Sequence, residues 1–102
     1  MMFTVVNKRG VLRKPNQAYI GRPSPLGNPF VLGRDGTRAE VIEKYEDWFR
    51  AQVAMDNAAV LGELRRIWQL AQTHGHVELV CWCAPLACHG DVIKRFLDEH
   101  RR

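Results

Sequence analysis

The residue types best suited to chemistry are concentrated in one short stretch of the chain. All three cysteines and one of the four histidines lie within nine residues, as Cys81, Cys83, Cys88 and His89. The apolar run from Val77 predicts a buried strand that ends at Cys83, and a helix is expected to begin near Cys88, His89 and Gly90. In α/β proteins, ligands bind at the carboxyl ends of such strands, where the next helix presents free backbone N–H groups. We therefore expect the functional site at this turn.

One interpretation of the cysteine–histidine turn (residues 81–89) is a zinc site. Three thiolates and an imidazole, from Cys81, Cys83, Cys88 and His89, suit the tetrahedral coordination of Zn²⁺. The spacing C-x-C-x4-C-H differs from the usual pairs of C-x2-C ligands. Strand alternation would place Cys81 and Cys83 on one face and Trp82 on the other. Zinc is the one cofactor that the sequence suggests; the other interpretations need none.

A second interpretation makes the turn a binding or catalytic site. Cys88 is expected at the start of a helix, where the partial positive charge lowers the pKa of a thiol and favours an anion. His89 would act as general acid or base, and the backbone amides of His89, Gly90 and Asp91 would bind a phosphate or an oxyanion. Gly90 would let a ligand approach the backbone closely, and Asp91 would also stabilise the helix through its dipole.

A third interpretation leaves the cysteines in the hydrophobic core. Cysteine is among the most buried residue types and behaves as a small apolar side chain. This interpretation is favoured for Cys81, which lies deep in the apolar run, whereas function is favoured for His89, which lies beside the turn.

A second segment of interest is the loop at residues 21–30, GRPSPLGNPF. Its two glycines and three prolines exclude regular secondary structure, because proline lacks a donor and restricts the residue before it. Such a loop holds Arg22, Ser24 and Asn28 in fixed positions, as ligand-binding loops do. The alternative is a cap over one end of the sheet, with Leu26 and Phe30 inserted into the core.

The elements that must position these segments follow from periodicity. Short strands are predicted at residues 3–6 and 18–20. A capping box formed by Thr37 and Glu40 predicts a helix that ends near Met55. Asp56 is expected to cap a second helix that closes at Gly75. With the Val77 strand and the last helix, the order is β-β-α-α-β-α. We therefore expect an α/β fold, a small three-layer Rossmann-like sandwich with a short sheet, with α+β as the alternative.

Composition bounds the class of protein. The 102 residues, 46% of them hydrophobic and 25% charged, predict one globular domain over residues 1–102. No signal peptide or membrane-spanning run is recognised, and an odd number of cysteines suits a reducing compartment, so we expect a cytoplasmic protein with no membrane partner. The net charge of +4 suits a phosphorylated partner. A basic cluster could bind nucleic acid, and a basic pair ends the chain; these are Lys8, Arg9, Arg13 and Lys14, then Arg101 and Arg102.

The motifs YIGRPSPLGNPF (residues 19–30) and LVCWCAPLACHGDVI (residues 79–93) resemble a family of small bacterial and phage proteins, DUF4326. The likeness covers nearly the whole chain, including Val5 to Asn7 and the helix with Tyr45 and Trp48. It implies a shared fold and a common pocket built by the residues Arg22, Ser24, Asn28, Cys83, Cys88 and His89. The Cys-His turn is also similar to that of a second α/β family, DUF488, in which Arg usually stands where this chain has Gly90.

These observations predict that the protein binds a phosphorylated, nucleotide-like ligand between residues 21–30 and residues 83–90. Arg22 would bind phosphate, Asn28 would orient the base or sugar, and helix amides would take the remaining charge. Any catalysis would fall to Cys88 and His89, in transfer or hydrolysis at a glycosidic or phosphoryl centre. The alternatives are a nucleic-acid-binding module and a zinc-stabilised interaction module.

Overall fold

The computed structural model describes residues 1–100, so the terminal pair Arg101 and Arg102 lies outside the described residues. The elements are β1 (Met2–Asn7), β2 (Gln17–Tyr19), α1 (Arg38–Ala54), α2 (Ala58–His74), β3 (His76–Cys81) and α3 (His89–His100). This order is the predicted β-β-α-α-β-α, and the mixed helix-and-strand fold is confirmed.

The three strands form one parallel sheet with β3 in the centre, in the order β1-β3-β2. A central strand of a parallel sheet is shielded on both faces, which explains the nearly continuous apolar run of β3. All of its residues after His76 are buried. Because the strands are parallel, Asn7, Tyr19 and Cys81 end at the same edge of the sheet.

The helices lie on one side of this sheet. Phe3 of β1 stacks on Trp68 of α2, with 6.2 Å between ring centroids, and Val5 of β1 faces Gly90 of α3. Residues two apart in a strand share a face, so α2 and α3 cover the same face. Helix α1 packs on α3, where Phe49 meets Phe96 edge-to-face.

The opposite face is covered by the loop between β1 and β2. Lys14 of this loop forms an ion pair with Glu78 of β3, and Asn16 donates to the carbonyl oxygen of His76. The protein measures only 22 Å across its thinnest dimension. The fold therefore has two layers, one of helices and one of strands, rather than the three expected. Among the described residues, no helix covers the polar face of the sheet that contains Glu78.

The helix ends agree closely with the sequence patterns. Thr37 and Glu40 form the predicted capping box, and Gly75 closes α2 in the left-handed conformation. The N-cap of α2 is Asn57 rather than Asp56, since the Asn57 side chain accepts from the Ala59 and Val60 amides. Asp56 instead takes a positive φ of 55° in the turn after α1. None of the described helices is long and apolar enough to cross a lipid bilayer.

Strand β3 ends at Cys81, two residues earlier than predicted. The chain turns there, and the Leu86 amide donates to the Cys83 carbonyl oxygen across the turn. Strand alternation therefore does not apply to Trp82 and Cys83. Trp82 is exposed, and Cys83 is half-buried.

Gly90 allows α3 to approach the sheet closely. A Cβ atom there would lie 2.9 Å from Ile20 Cδ1 and 3.0 Å from Val5 Cγ1, inside the core. Gly90→Ala should therefore lower the free energy of unfolding by about 1–3 kcal/mol, as overpacking does. The matched control is Gly62→Ala in α2, where a Cβ meets nothing within 4 Å. That change should raise stability by about 0.4–1 kcal/mol. Urea denaturation measures both changes, and equal effects would contradict the close approach.

Candidate functional site

The loop at residues 21–30 and the cysteine–histidine turn meet at the carboxyl edge of the sheet. Their junction is a hydrogen bond of 2.6 Å from Nε2 of His89, the first residue of α3, to the backbone oxygen of Ile20, just after β2. Leu26 is fully buried, so the loop is also anchored in the core there, as its alternative interpretation expected. Phe30, expected in the core as well, is only half-buried and lines the cleft. The Tyr45 hydroxyl of α1 donates to the Leu26 carbonyl oxygen at 2.8 Å. Four elements are thereby fixed around one point.

Asn7 holds the turn from the side of β1. Its Nδ2 atom donates to the carbonyl oxygens of Ala84 at 2.7 Å and Trp82 at 3.2 Å. Its Oδ1 atom accepts from the Arg9 amide. A polar residue at the end of a strand thus sets the course of the turn that follows β3.

The two segments enclose a cleft of about 170 Å³. Five of the residues predicted for the site line it: Arg22, Asn28, Cys83, Cys88 and His89. Its other lining residues are mostly apolar, with one further arginine: Gly21, Phe30, Leu32, Arg38, Val41, Ile42, Trp82 and Ala87. The meeting of the two segments in one cleft is as the sequence predicted.

His89 is held as one defined tautomer. A carbonyl oxygen can only accept, so Nε2 carries the proton and Nδ1 has a free lone pair. Within residues 1–100, no protein group forms a hydrogen bond with Nδ1. Nδ1 is also not fully buried. Burial lowers the pKa of His89, and the charge of Arg22 lowers it further. A neutral imidazole therefore offers an acceptor to the cleft.

The pKa of Cys88 is shifted upward, whereas the sequence predicted a lowered pKa for this thiol. The sulfur atoms of Cys81 and Cys88 are 3.4 Å apart, and both residues are buried. The hydrogen bond between the two sulfur atoms, with the amides of Cys83 and Ala84, lowers the pKa of Cys81. The same hydrogen bond, together with burial, raises the pKa of Cys88. Burial against Cys81 therefore favours the neutral thiol of Cys88, despite its place at the helix start.

Two of the three amides predicted to bind an anion at the start of α3 are bonded within the protein itself. The Gly90 amide donates to the Cys88 sulfur, and the Asp91 amide donates to the Cys88 carbonyl oxygen. The Asp91 carboxylate accepts from the Cys88 amide, and its place in the first turn also suits the stabilising role expected from the helix dipole. Gly90 faces the core, so its small size serves packing rather than ligand approach. Neither Gly90 nor Asp91 lines the cleft.

Two residues of the loop at 21–30 also differ from the prediction. Ser24 does not line the cleft, and its buried hydroxyl has no hydrogen-bond partner among the described residues 1–100. Asn28 lines the cleft, but its side chain binds the protein backbone at both ends. Its oxygen accepts from the Phe30 amide, and its nitrogen donates to the Val41 carbonyl oxygen. Asn28 therefore shapes the wall of the cleft.

Two residues that line the cleft, Arg38 and Trp82, were not predicted from the sequence as site residues. Arg38 is the first residue of α1, where the helix dipole disfavours a positive charge, and that misfit is a signal that could have identified it. Its Nη1 atom donates to the Ala87 carbonyl oxygen at 3.2 Å, which leaves its other N–H groups for a ligand. Trp82 is 53% exposed, which is unusual for so large an apolar ring. An end of the strand at Cys81 would have placed Trp82 in the turn and indicated it as a site residue.

Within residues 1–100, no group of three or more His, Cys, Asp or Glu side chains is arranged to hold a metal ion. His89 directs Nε2 to Ile20, and Cys88 directs its thiol to Cys81. Zinc binding by Cys81, Cys83, Cys88 and His89 stays a prediction without support from these contacts.

Comparison with known proteins gives one match. The family described as "Domain of unknown function (DUF4326)" matches residues 4–99, nearly the whole chain. Neither the curated proteins nor the solved structures contain a significant match.

The buried imidazole gives stability a defined dependence on pH. The lowered pKa of His89 means that the unfolded chain takes up a proton at higher pH than the folded protein. Stability from His89 is therefore complete above about pH 6.5 and is lost as the pH falls below that value. His89→Gln keeps an N–H for Ile20 but does not titrate. In urea denaturation, wild type should lose more stability than this variant between about pH 7.5 and pH 5. Equal losses would contradict a neutral buried imidazole.

Proposed function

Because the chain belongs to the DUF4326 family, a domain of unknown function, we propose from the geometry of its cleft that the protein binds a phosphorylated, nucleotide-like ligand. The ligand would lie between residues 21–30 and residues 83–90. One observation carries the proposal: two arginines, an exposed indole and a free imidazole nitrogen line a single cleft, and none of its lining residues among residues 1–100 is an Asp or Glu. This set favours an anionic ligand with an aromatic part.

The phosphate is assigned to Arg22 and Arg38. Both arginines line the cleft, Arg22 from the loop at residues 21–30 and Arg38 from the start of α1. Neither has an ion-pair partner within residues 1–100. Guanidinium groups bind phosphate oxygens through paired hydrogen bonds that are stronger than neutral ones. In binding the phosphate, these two side chains take the place of the helix amides predicted from the sequence, since the Gly90 and Asp91 amides are already bonded.

The base is assigned to the apolar part of the cleft and its rim. Trp82 offers a flat ring there, with Phe30 and Ile42 among the other lining residues. His89 Nδ1 can accept a hydrogen bond from a hydroxyl or N–H group of the ligand. The cleft is smaller than the roughly 300–1,000 Å³ of typical ligand pockets, so part of the ligand extends over the rim.

Catalysis, if the ligand is turned over, would depend on His89 rather than Cys88. His89 has a basic nitrogen toward the cleft and an orienting hydrogen bond on its other nitrogen, as a general base requires. Cys88 is buried against Cys81, and burial raises the pKa of its thiol, which weakens it as a nucleophile. Transfer or hydrolysis at a glycosidic or phosphoryl centre stays the proposed reaction class.

The cellular setting is proposed from the thiols and from family resemblance. The three cysteines are free, and reduced thiols persist in a reducing compartment, which favours the cytoplasm. The resemblance to small bacterial and phage proteins supports a bacterial or phage origin.

The proposal is tested by isothermal titration with the common nucleoside 5′-monophosphates and with the matching nucleosides. At least one monophosphate should bind, and its nucleoside should bind much more weakly. Arg22→Ala and Arg38→Ala should each cost about 1.5 kcal/mol or more, roughly tenfold in Kd. Arg65→Ala removes an exposed charge of α2 outside the cleft and should leave the Kd unchanged. A nucleoside that binds as well as its monophosphate, or equal effects of all three substitutions, would contradict the phosphate assignment.

A further inference from the structure

The basic segment between β1 and β2 is not used by the cleft. It forms one wall of a groove of about 540 Å³ on the helix-free face of the sheet. The groove is lined by Lys8, Val11, Arg13, Lys14, Gln17, Tyr19 and Val80. Lys14 is neutralised by Glu78 at 3.1 Å, but Lys8 and Arg13 have no ion-pair partner within residues 1–100. The groove therefore has a positive charge that the fold itself does not use.

A pair of aromatic rings joins this groove to the cleft. Tyr19 lines the groove, Trp82 lines the cleft, and the Trp82 indole N–H donates to the Tyr19 hydroxyl at 3.1 Å. The Tyr19 hydroxyl donates in turn to the Arg22 carbonyl oxygen at 2.8 Å. Lys8 Nζ lies 5.4 Å from the Tyr19 ring centroid and 5.9 Å from that of Trp82. Arg22, the two rings and Lys8 thus lie next to one another between the cleft and the groove.

The position of the Tyr19 ring depends on a glycine. A Cβ atom on Gly21 would lie 2.4 Å from the Tyr19 hydroxyl, so any other residue there would displace the ring. The local sequence is therefore compatible with a fixed Tyr19–Trp82 pair between the two surfaces.

Alternating cations and aromatic faces are the arrangement that binds single-stranded nucleic acid. Each exposed ring can stack on a base, and each cation can pair with a backbone phosphate. A duplex keeps its base faces stacked inside and cannot use the rings in this way. The small cleft would hold part of a terminal nucleotide, and the nucleic-acid chain that follows it would pass over the rim, where Trp82 is 53% exposed.

We infer that the ligand is the phosphorylated end of a single-stranded nucleic acid. Its terminal nucleotide occupies the cleft, the next base stacks on the Tyr19–Trp82 pair, and the following phosphates pair with Lys8 and Arg13. This inference rests on the proposed function, because it requires that the cleft binds a nucleotide.

Fluorescence anisotropy with 5′-phosphorylated octathymidylate and octauridylate, in competition with the mononucleotides, tests the inference. At least one octamer should bind roughly tenfold or more tightly than its mononucleotide, the effect of one stacked base. The two octamers distinguish DNA from RNA as the source. Two additional phosphate contacts should also make the slope of log K against log salt more negative by about 1.4.

The double variant K8A/R13A should reduce octamer affinity to within roughly twofold of the mononucleotide, whose own binding should not change. The matched control R65A/R66A removes two charges from α2, outside both surfaces, and should bind the octamer as wild type does.

Octamer binding no tighter than mononucleotide binding would overturn the inference and leave the proposed function standing. So would an equally tight octamer duplex, or octamer binding that K8A/R13A does not weaken. Failure of both mononucleotides and octamers to bind would overturn the proposed function together with the inference.

Discussion

The hydrogen bond from His89 Nε2 to the Ile20 carbonyl oxygen is the contact on which the site depends. Both groups are buried, and a buried backbone oxygen without a partner would cost free energy comparable to a lost hydrogen bond. The bond fixes the start of α3 against the end of β2. It also fixes the tautomer of the imidazole, so that the remaining nitrogen faces the cleft. The parallel sheet supplies the rest, because its three strands end at one edge and direct their loops to the same place.

The cleft is positive because of side chains rather than backbone amides. In many α/β proteins the free amides of a helix start bind the anion. Here Cys88 and Asp91 cap that helix start, so the positive charge comes from Arg22 and Arg38 instead. The buried Cys81 and Cys88 pair fixes the turn through one thiol hydrogen bond, which leaves Cys83 as the cysteine with partial exposure at the cleft.

The elements that local pattern determines could be predicted, including the central Val77 strand, the capping box of α1 and the glycine end of α2. Their arrangement in space could not. Whether helices cover one face or both depends on the polar face around Glu78, and the loop that covers it has no periodic signal. For the site, clustering of Cys and His identified the right turn. Arg38 was missed because it lies outside both motifs, eight residues after the first, and reaches the cleft only through the packing of α1. Ser24 and Gly90 were misassigned because residue type alone does not show which way a loop or a helix faces.

Long-range ¹H–¹⁵N NMR spectra of the imidazole groups, with and without a saturating nucleoside monophosphate, test binding in the cleft most directly. The Nδ1 resonance of His89 should shift as it accepts a hydrogen bond, and the guanidinium resonances of Arg22 and Arg38 should change with it. The proton should stay on Nε2 and remain hydrogen-bonded to the Ile20 carbonyl oxygen. Ligand-induced shifts confined to the surface between α2 and α3, or no change at His89, Arg22 and Arg38 at saturation, would contradict the assignment.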